Sequence, residues 1–175
     1  MFLFKIILLI AIVVASTILG ILFSKKYSNR EKELKEMKSA LNIFATKIKF
    51  TYEPVPNVFL EISNKIGGNI GQIFARASSR MKEENAGDAW ENAFTDVKNN
   101  LLEEDITILK NLGRLLGQTD IEGQLSEIEV VTQFLDTQLE SARNEKLKNE
   151  KMYRTLGIIS GLTIAIILIW VGDGS

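Results

Sequence analysis

The sequence predicts an all-α protein: a helical bundle of about six helices between an N-terminal and a C-terminal transmembrane helix. The last helix of the bundle is long and continuous with the C-terminal span. Three observations predict this. Uncharged apolar runs lie near both ends, Ile6 to Phe23 and Thr155 to Val171. Between them, apolar residues recur at spacings of three and four, the helical period. The only two prolines, Pro54 and Pro56, fall in one short stretch, which favours a chain of helices over strands and turns.

At 175 residues the chain has room for one modest domain plus membrane segments. We divide it into an N-terminal transmembrane segment (1–24), a cytoplasmic α-helical domain (25–154), and a C-terminal transmembrane segment with a short tail (155–175). A net charge of -1 gives no basic surplus and no reason to expect nucleic acid. There is no Cys and no His, so thiolate chemistry, the usual general base and the commonest metal ligand are all missing. The near-zero net charge conceals strong segregation. Residues 25–82 carry 12 positive and 5 negative side chains, a net of +7. Residues 83–140 carry 3 positive and 14 negative, a net of -11. Residues 143–154 carry 5 positive and 2 negative, a net of +3.

The first apolar run holds 18 residues without a charge, about the minimum for a hydrocarbon core of ~30 Å. A cleaved signal peptide with Lys5 as its charged start is the competing reading. The run is long for such a peptide, and Ala15-Ser16 lies inside it rather than after it. We therefore expect a retained anchor. The second run ends near Trp170, where an aromatic belt residue would sit. Gly157 and Gly161 form a small-xxx-small pair that lets membrane helices approach closely, and we take them as candidate transmembrane packing residues. Lys25, Lys26, Arg30, Lys32, Lys35 and Lys38 follow the first span, while Arg143, Lys146, Lys148, Lys151 and Arg154 precede the second. By the positive-inside rule the central domain is cytoplasmic and both termini are outside.

Taken in order, Leu34, Met37, Leu41, Phe44 and Ile48 form the first stripe, read as a core face rather than a free coiled coil. Glu53-Pro54-Val55-Pro56-Asn57 breaks that helix, and Pro56 opens a short one over Val58 to Lys65. Gly67-Gly68 ends it, and a third helix runs from about Gly71 to Lys82. Asp88 with Glu91 reads as a capping box for a fourth helix, with Trp90, Phe94 and Val97 on its inner face. A fifth begins near Glu103 with Ile108, Leu109, Leu112, Leu115 and Leu116 inward, and Gly117 as its stop. Asp120 then caps the long helix, whose stripe is Leu125, Ile128, Thr132, Leu135, Leu139 and Ala142. From Asp120 to Val171 a single helix would measure roughly 75 Å.

No phosphate loop, dinucleotide fingerprint or nucleophile–base pair is present, so we expect neither enzymatic activity nor a cofactor. The clusters Glu83-Glu84 and Glu103-Glu104-Asp105 read as solvated charge at helix ends. Three short stretches carry a resemblance. They are Ala89-Trp90-Glu91-Asn92-Ala93, the run from Leu109 through Gly113 and Gly117 to Asp120 and Gln124, and Lys151-Met152-Tyr153-Arg154-Thr155-Leu156-Gly157. In their order and spacing they resemble the stage III sporulation protein AB family of endospore-forming bacteria, over nearly the whole chain. Pro54 and Pro56 stand where the family's pattern has a single Thr-Pro-Leu.

That resemblance implies a non-enzymatic inner-membrane component of the sporulation channel, which joins mother cell and forespore. It implies a domain similar to the cytoplasmic domain of the type II secretion system F protein, facing the mother-cell cytoplasm from the outer forespore membrane. The implied partners are a secretion-type ATPase (stage III sporulation protein AA), other stage III channel subunits, and further copies of the chain. We expect Glu83, Glu84, Glu103 and Glu104 to form the docking surface for a basic partner, because a net of -11 exceeds what solubility needs. A generic membrane-anchored scaffold or adaptor unrelated to sporulation is the alternative.

Overall fold

A computed structural model describes residues 2–51, 53–115 and 120–173. Among them all regular structure is helical, in the order α1 (Phe2–Phe50), α2 (Val55–Ile66), α3 (Gly68–Arg80), α4 (Ala86–Asp96), α5 (Glu103–Leu115) and α6 (Ile121–Asp173). Two compact units form: Arg30–Ser141, and Met1–Asn29 with Ala142–Ser175. Among the described residues one helix, over Ile10–Phe50, is long and apolar enough to cross a membrane by length and composition.

In the unit Arg30–Ser141 the stripe expected on α1 is buried throughout: Leu34, Met37 and Phe44 are fully covered, and Leu41 and Ile48 nearly so. Phe44 starts a run of aromatic contacts, with Phe59 at 5.2 Å, then Phe74 4.9 Å from Phe59, then Trp90 5.0 Å from Phe74, and finally Phe94 4.9 Å from Trp90. Four of these contacts are edge-to-face, the arrangement the ring quadrupole favours, each worth ~0.5–1.5 kcal/mol beyond burial. One cluster therefore stitches α1, α2, α3 and α4 together. Trp90 is fully buried, and its indole N–H donates to the Leu109 carbonyl at 2.6 Å, which adds α5.

The breaks have local causes. Pro54 takes the N-cap position of α2 and Pro56 lies in its first turn, so the helix starts three residues before the Val58 expected from the sequence. A missing N–H in the first turn removes no helical bond, so both prolines are tolerated there. The Ser78 hydroxyl on α3 donates to the Pro56 carbonyl at 2.7 Å and fixes that turn. Gly67 and Gly68 have φ of 64° and 57°, the left-handed region that other residues avoid, and α3 begins at once at Gly68. The cap of α4 is Asn85 rather than Asp88: Asn85 Oδ1 accepts from the Asp88 N–H at 2.9 Å. Asp88 lies inside the first turn, its carboxylate accepting from Asn85 Nδ2, and Glu91 takes no part in the cap.

Asp120 does cap α6, accepting from the Gly123 N–H at 2.9 Å. The buried face of α6 is centred on Ile128, Val131, Leu135, Gln138 and Ala142. Leu125, Thr132 and Leu139 from the expected stripe are only half-buried. The stripe is thus turned by one position at its middle, and it admits a glutamine that hydropathy alone would place outside. Leu116 and Gly117 lie outside the described residues, as does the side chain of Trp170.

A Cβ at Gly113 would stand 2.5 Å from Trp90 Cδ1. Gly113→Ala should therefore destabilise the chain by ~1–3 kcal/mol, the usual penalty for overpacking, because the rigid indole is held by its bond to Leu109. Thermal unfolding of the full chain followed by circular dichroism checks this; an unchanged midpoint contradicts the Trp90–Gly113 contact.

Candidate functional site

Among the described residues, the unit Arg30–Ser141 encloses one desolvated ion pair. Arg30 on α1 is 3% exposed and Asp105 on α5 is 0% exposed. Arg30 Nε donates to Asp105 Oδ2 at 3.0 Å, and Nη2 donates to Asp105 Oδ1 at 3.1 Å and to Gln138 Oε1 on α6 at 2.8 Å. Asp105 also accepts from the Leu102 N–H at 2.9 Å, so the same carboxylate caps α5. The flat guanidinium fits a carboxylate through two parallel bonds, which a lysine could not do. Sequence reading took Glu103-Glu104-Asp105 as solvated charge. That holds for exposed Glu103, whereas Asp105 is core, and Glu104 lies 3.8 Å from Arg30. The helical period carried the signal, because Asp105 precedes buried Leu109 and Leu112 by four and seven positions and so shares their face, but its place in an acidic first turn masked it.

The other predicted docking residues separate in the same way. Glu84 accepts from Arg80 and from Asn92 Nδ2, the latter at 2.9 Å, and is half-buried. Glu83 is exposed, and among the described residues neither Glu83 nor Glu103 forms an ion pair. Arg80 also grips Asp96 with two bonds, of 2.8 and 3.1 Å, and this pairing holds the Asp96 carboxyl below the ordinary aspartate range and raises the Arg80 pKa. Lys38 pairs with Asp136, and Lys110 approaches Glu91 at 3.5 Å. Buried Glu33 accepts from Asn69 Nδ2 at 2.8 Å and from the Asn100 N–H and Nδ2 at 2.6 and 2.7 Å. Among the described residues no group of three or more carboxylates is arranged to hold a metal.

In the other unit, α1 and α6 meet at glycines. A Cβ on Gly157 would stand 2.9 Å from the Ser16 carbonyl oxygen, and one on Gly161 would stand 3.0 Å from Val13 Cα. Gly20 answers from α1, where a Cβ would stand 2.6 Å from the Tyr153 carbonyl oxygen. The sequence reading missed Gly20, since its partner lies 133 positions away. Tyr27 and Tyr153 stack nearby with ring centroids 6.3 Å apart.

The three stretches that suggested a family now have physical roles. Trp90, Leu109 and Gly113 form one contact, Asp120 caps α6, and Tyr153 and Gly157 pack on α1. The sequence profile of the stage III sporulation protein AB family matches residues 5–169. The chain belongs to the stage III sporulation protein AB family. It is 26% identical over 161 residues to stage III sporulation protein AB of Bacillus subtilis (strain 168), covering 90% of this chain and 94% of that one. A solved structure of a stage III sporulation protein AB has a TM-score of 0.62 at 18% identity, over 67% of this chain and 96% of its own, which shows a shared fold. Membership in the stage III sporulation protein AB family supports a role in sporulation, and neither relative is named for a reaction.

Removing Asp105 leaves a buried guanidinium uncompensated. Asp105→Ala should cost ~3–5 kcal/mol, while the double change Arg30→Met with Asp105→Leu should cost far less, because it removes both charges together. Urea unfolding of the full chain in detergent measures both; an Asp105→Ala cost no larger than that of the double change contradicts the pairing.

Proposed function

We propose that this protein is a non-enzymatic membrane platform subunit of the sporulation channel, with its central helical domain in the mother-cell cytoplasm. The observation that carries the membrane part is the surface of the unit Met1–Asn29 with Ala142–Ser175. There α1 exposes Ile7, Ile10, Val14 and Ile18, and α6 exposes Leu156, Ile159, Leu162 and Ile166, all between about half and two-thirds accessible. An apolar patch this continuous on both helices favours lipid over water. On this reading α1 and α6 each contribute a span, Gly157 and Gly161 pack the second against the first, and the domain lies between them in sequence. The positive charges flanking both apolar runs favour cytoplasmic placement of the domain, with both termini outside. Its partners are a secretion-type ATPase, other stage III subunits and other copies of itself.

In a spore-forming host, deletion should abolish heat-resistant spores and the intact gene should restore them. A reporter active only outside the membrane should stay silent when fused at residue 90. Normal sporulation of the deletion strain, or full reporter signal, overturns the proposal.

Docking to a basic partner falls to the carboxylates that remain free, Glu83 and Glu103, with Glu84 and Glu104 contributing less because each lies beside an arginine. Glu83→Lys with Glu103→Lys should weaken binding of the purified ATPase by about tenfold at low salt and much less at high salt. Binding unaffected by salt and by the reversals contradicts this surface.

A further inference from the structure

A groove of about 560 Å³ opens between α1 and α6 within the unit Met1–Asn29 with Ala142–Ser175. Its apolar walls include Ile21 and Leu147, and its charged lining is Glu150 and Lys151. Two lining hydroxyls are already engaged: Thr17 donates to the Val13 carbonyl and Ser24 to the Ile21 carbonyl, both at 2.8 Å. The third, Thr155, makes no such bond, and neither Glu150 nor Lys151 is ion-paired among the described residues. The groove falls where α6 passes from charged sequence, Lys146 to Lys151, to apolar sequence from Leu156 onward. It thus offers a cation with a free hydroxyl donor, an anion, and apolar walls that continue into the exposed apolar surface.

We propose that this groove binds the headgroup of a zwitterionic amino-phospholipid of the phosphatidylethanolamine type. Its phosphate would be held by Lys151 and Thr155, its ammonium by Glu150, and its acyl chains would lie along Ile21 and the apolar faces beyond. This rests on the membrane placement proposed above. Glu150 decides the headgroup class. A phosphatidylglycerol headgroup would bring its phosphate to Lys151 but offer Glu150 only neutral hydroxyls, with no cation to balance the carboxylate. A quaternary choline would satisfy the charge of Glu150 but has no N–H to donate. A primary ammonium does both. A water-soluble phosphoethanolamine shares the polar chemistry, but the apolar walls favour the lipid.

The test uses the full chain in mixed micelles with equal amounts of phosphatidylethanolamine, phosphatidylcholine and phosphatidylglycerol, reading retained lipid by native mass spectrometry. One phosphatidylethanolamine per chain should be retained over phosphatidylcholine by about tenfold or more, the size of one charge-assisted hydrogen bond. Glu150→Gln should bring that ratio to about one, and Lys151→Gln should lower retention of all three lipids together. A preference for phosphatidylglycerol, or an ethanolamine-to-choline ratio untouched by Glu150→Gln, overturns the site. Displacement of the lipid by free phosphoethanolamine would overturn the lipid as occupant. Flotation with pure phosphatidylcholine vesicles separates the two levels of inference. A chain that does not float refutes the membrane placement, whereas one that floats yet shows no headgroup preference refutes only the groove.

Discussion

The bundle depends on a charge it has taken out of water. Arg30 is enclosed against Asp105 and Gln138, so three elements distant in sequence are fixed by one guanidinium. The cost of desolvating two ions is recovered only where geometry is near ideal and the remaining donors and lone pairs are used. Both conditions hold. The carboxylate takes two parallel bonds and a backbone N–H, and the guanidinium reaches a second acceptor. An apolar trio would pack more cheaply but would tolerate sliding of α5 along α1 by a turn. The bidentate fork does not, so the pair sets register as well as holding the helices together.

The same logic governs the uneven charge along the chain. Basic residues from the first half, Arg30, Lys38, Arg76 and Arg80, meet acidic residues from the second, Asp105, Asp136, Asp96 and Glu84. Segregation that looked like an outward acidic face is therefore partly an internal match between halves. What remains facing solvent is smaller than the net of -11 suggests, and it is concentrated on residues such as Glu83 and Glu103. Exposed pairs of this kind are worth little singly, but their pattern disfavours swapping one helix for another of like charge.

Much of the fold was legible because it follows from period and punctuation. The stripe from Leu34 to Ile48, the proline break, the glycine pair at 67–68 and the Asp120 cap each depend on residues within a few positions of one another. The misplaced features depend on distance in sequence. Asp105 reads as helix-end charge until Arg30 is brought to it, and Gln138 reads as solvent-facing until the same arginine arrives. Gly20 is an ordinary small residue within an apolar run until Tyr153 lies across it. The cap at Asn85 was missed for a local reason: two overlapping box patterns, Asn85–Asp88 and Asp88–Glu91, compete, and only the backbone shows which residue has left the helix.

The two units reverse each other's pattern within the same two helices. In Arg30–Ser141, α1 and α6 bury large apolar side chains and, apart from Arg30, Glu31 and Glu33, show charge outward. In the other unit they meet through Gly20, Gly157 and Gly161 and show isoleucine and leucine outward. Several hydroxyls there turn back on their own helix: Thr17 to Val13, Ser160 to Gly157, and Thr163 to Ile159. In water, contact through glycine would hide little apolar area and could not offset the exposure of so many branched side chains. In hydrocarbon that exposure costs nothing, and close backbone approach becomes the main source of attraction between helices. A single helix obeys both rules if its solvent changes along its length, as the membrane placement proposed above requires. On that proposal the change for α6 falls between Ala142, the last residue of the buried stripe, and Gly157, the first of its close-packed glycines. Lys148 and Lys151 lie in that interval, where the proposed lipid site sets Lys151 beside a phosphate.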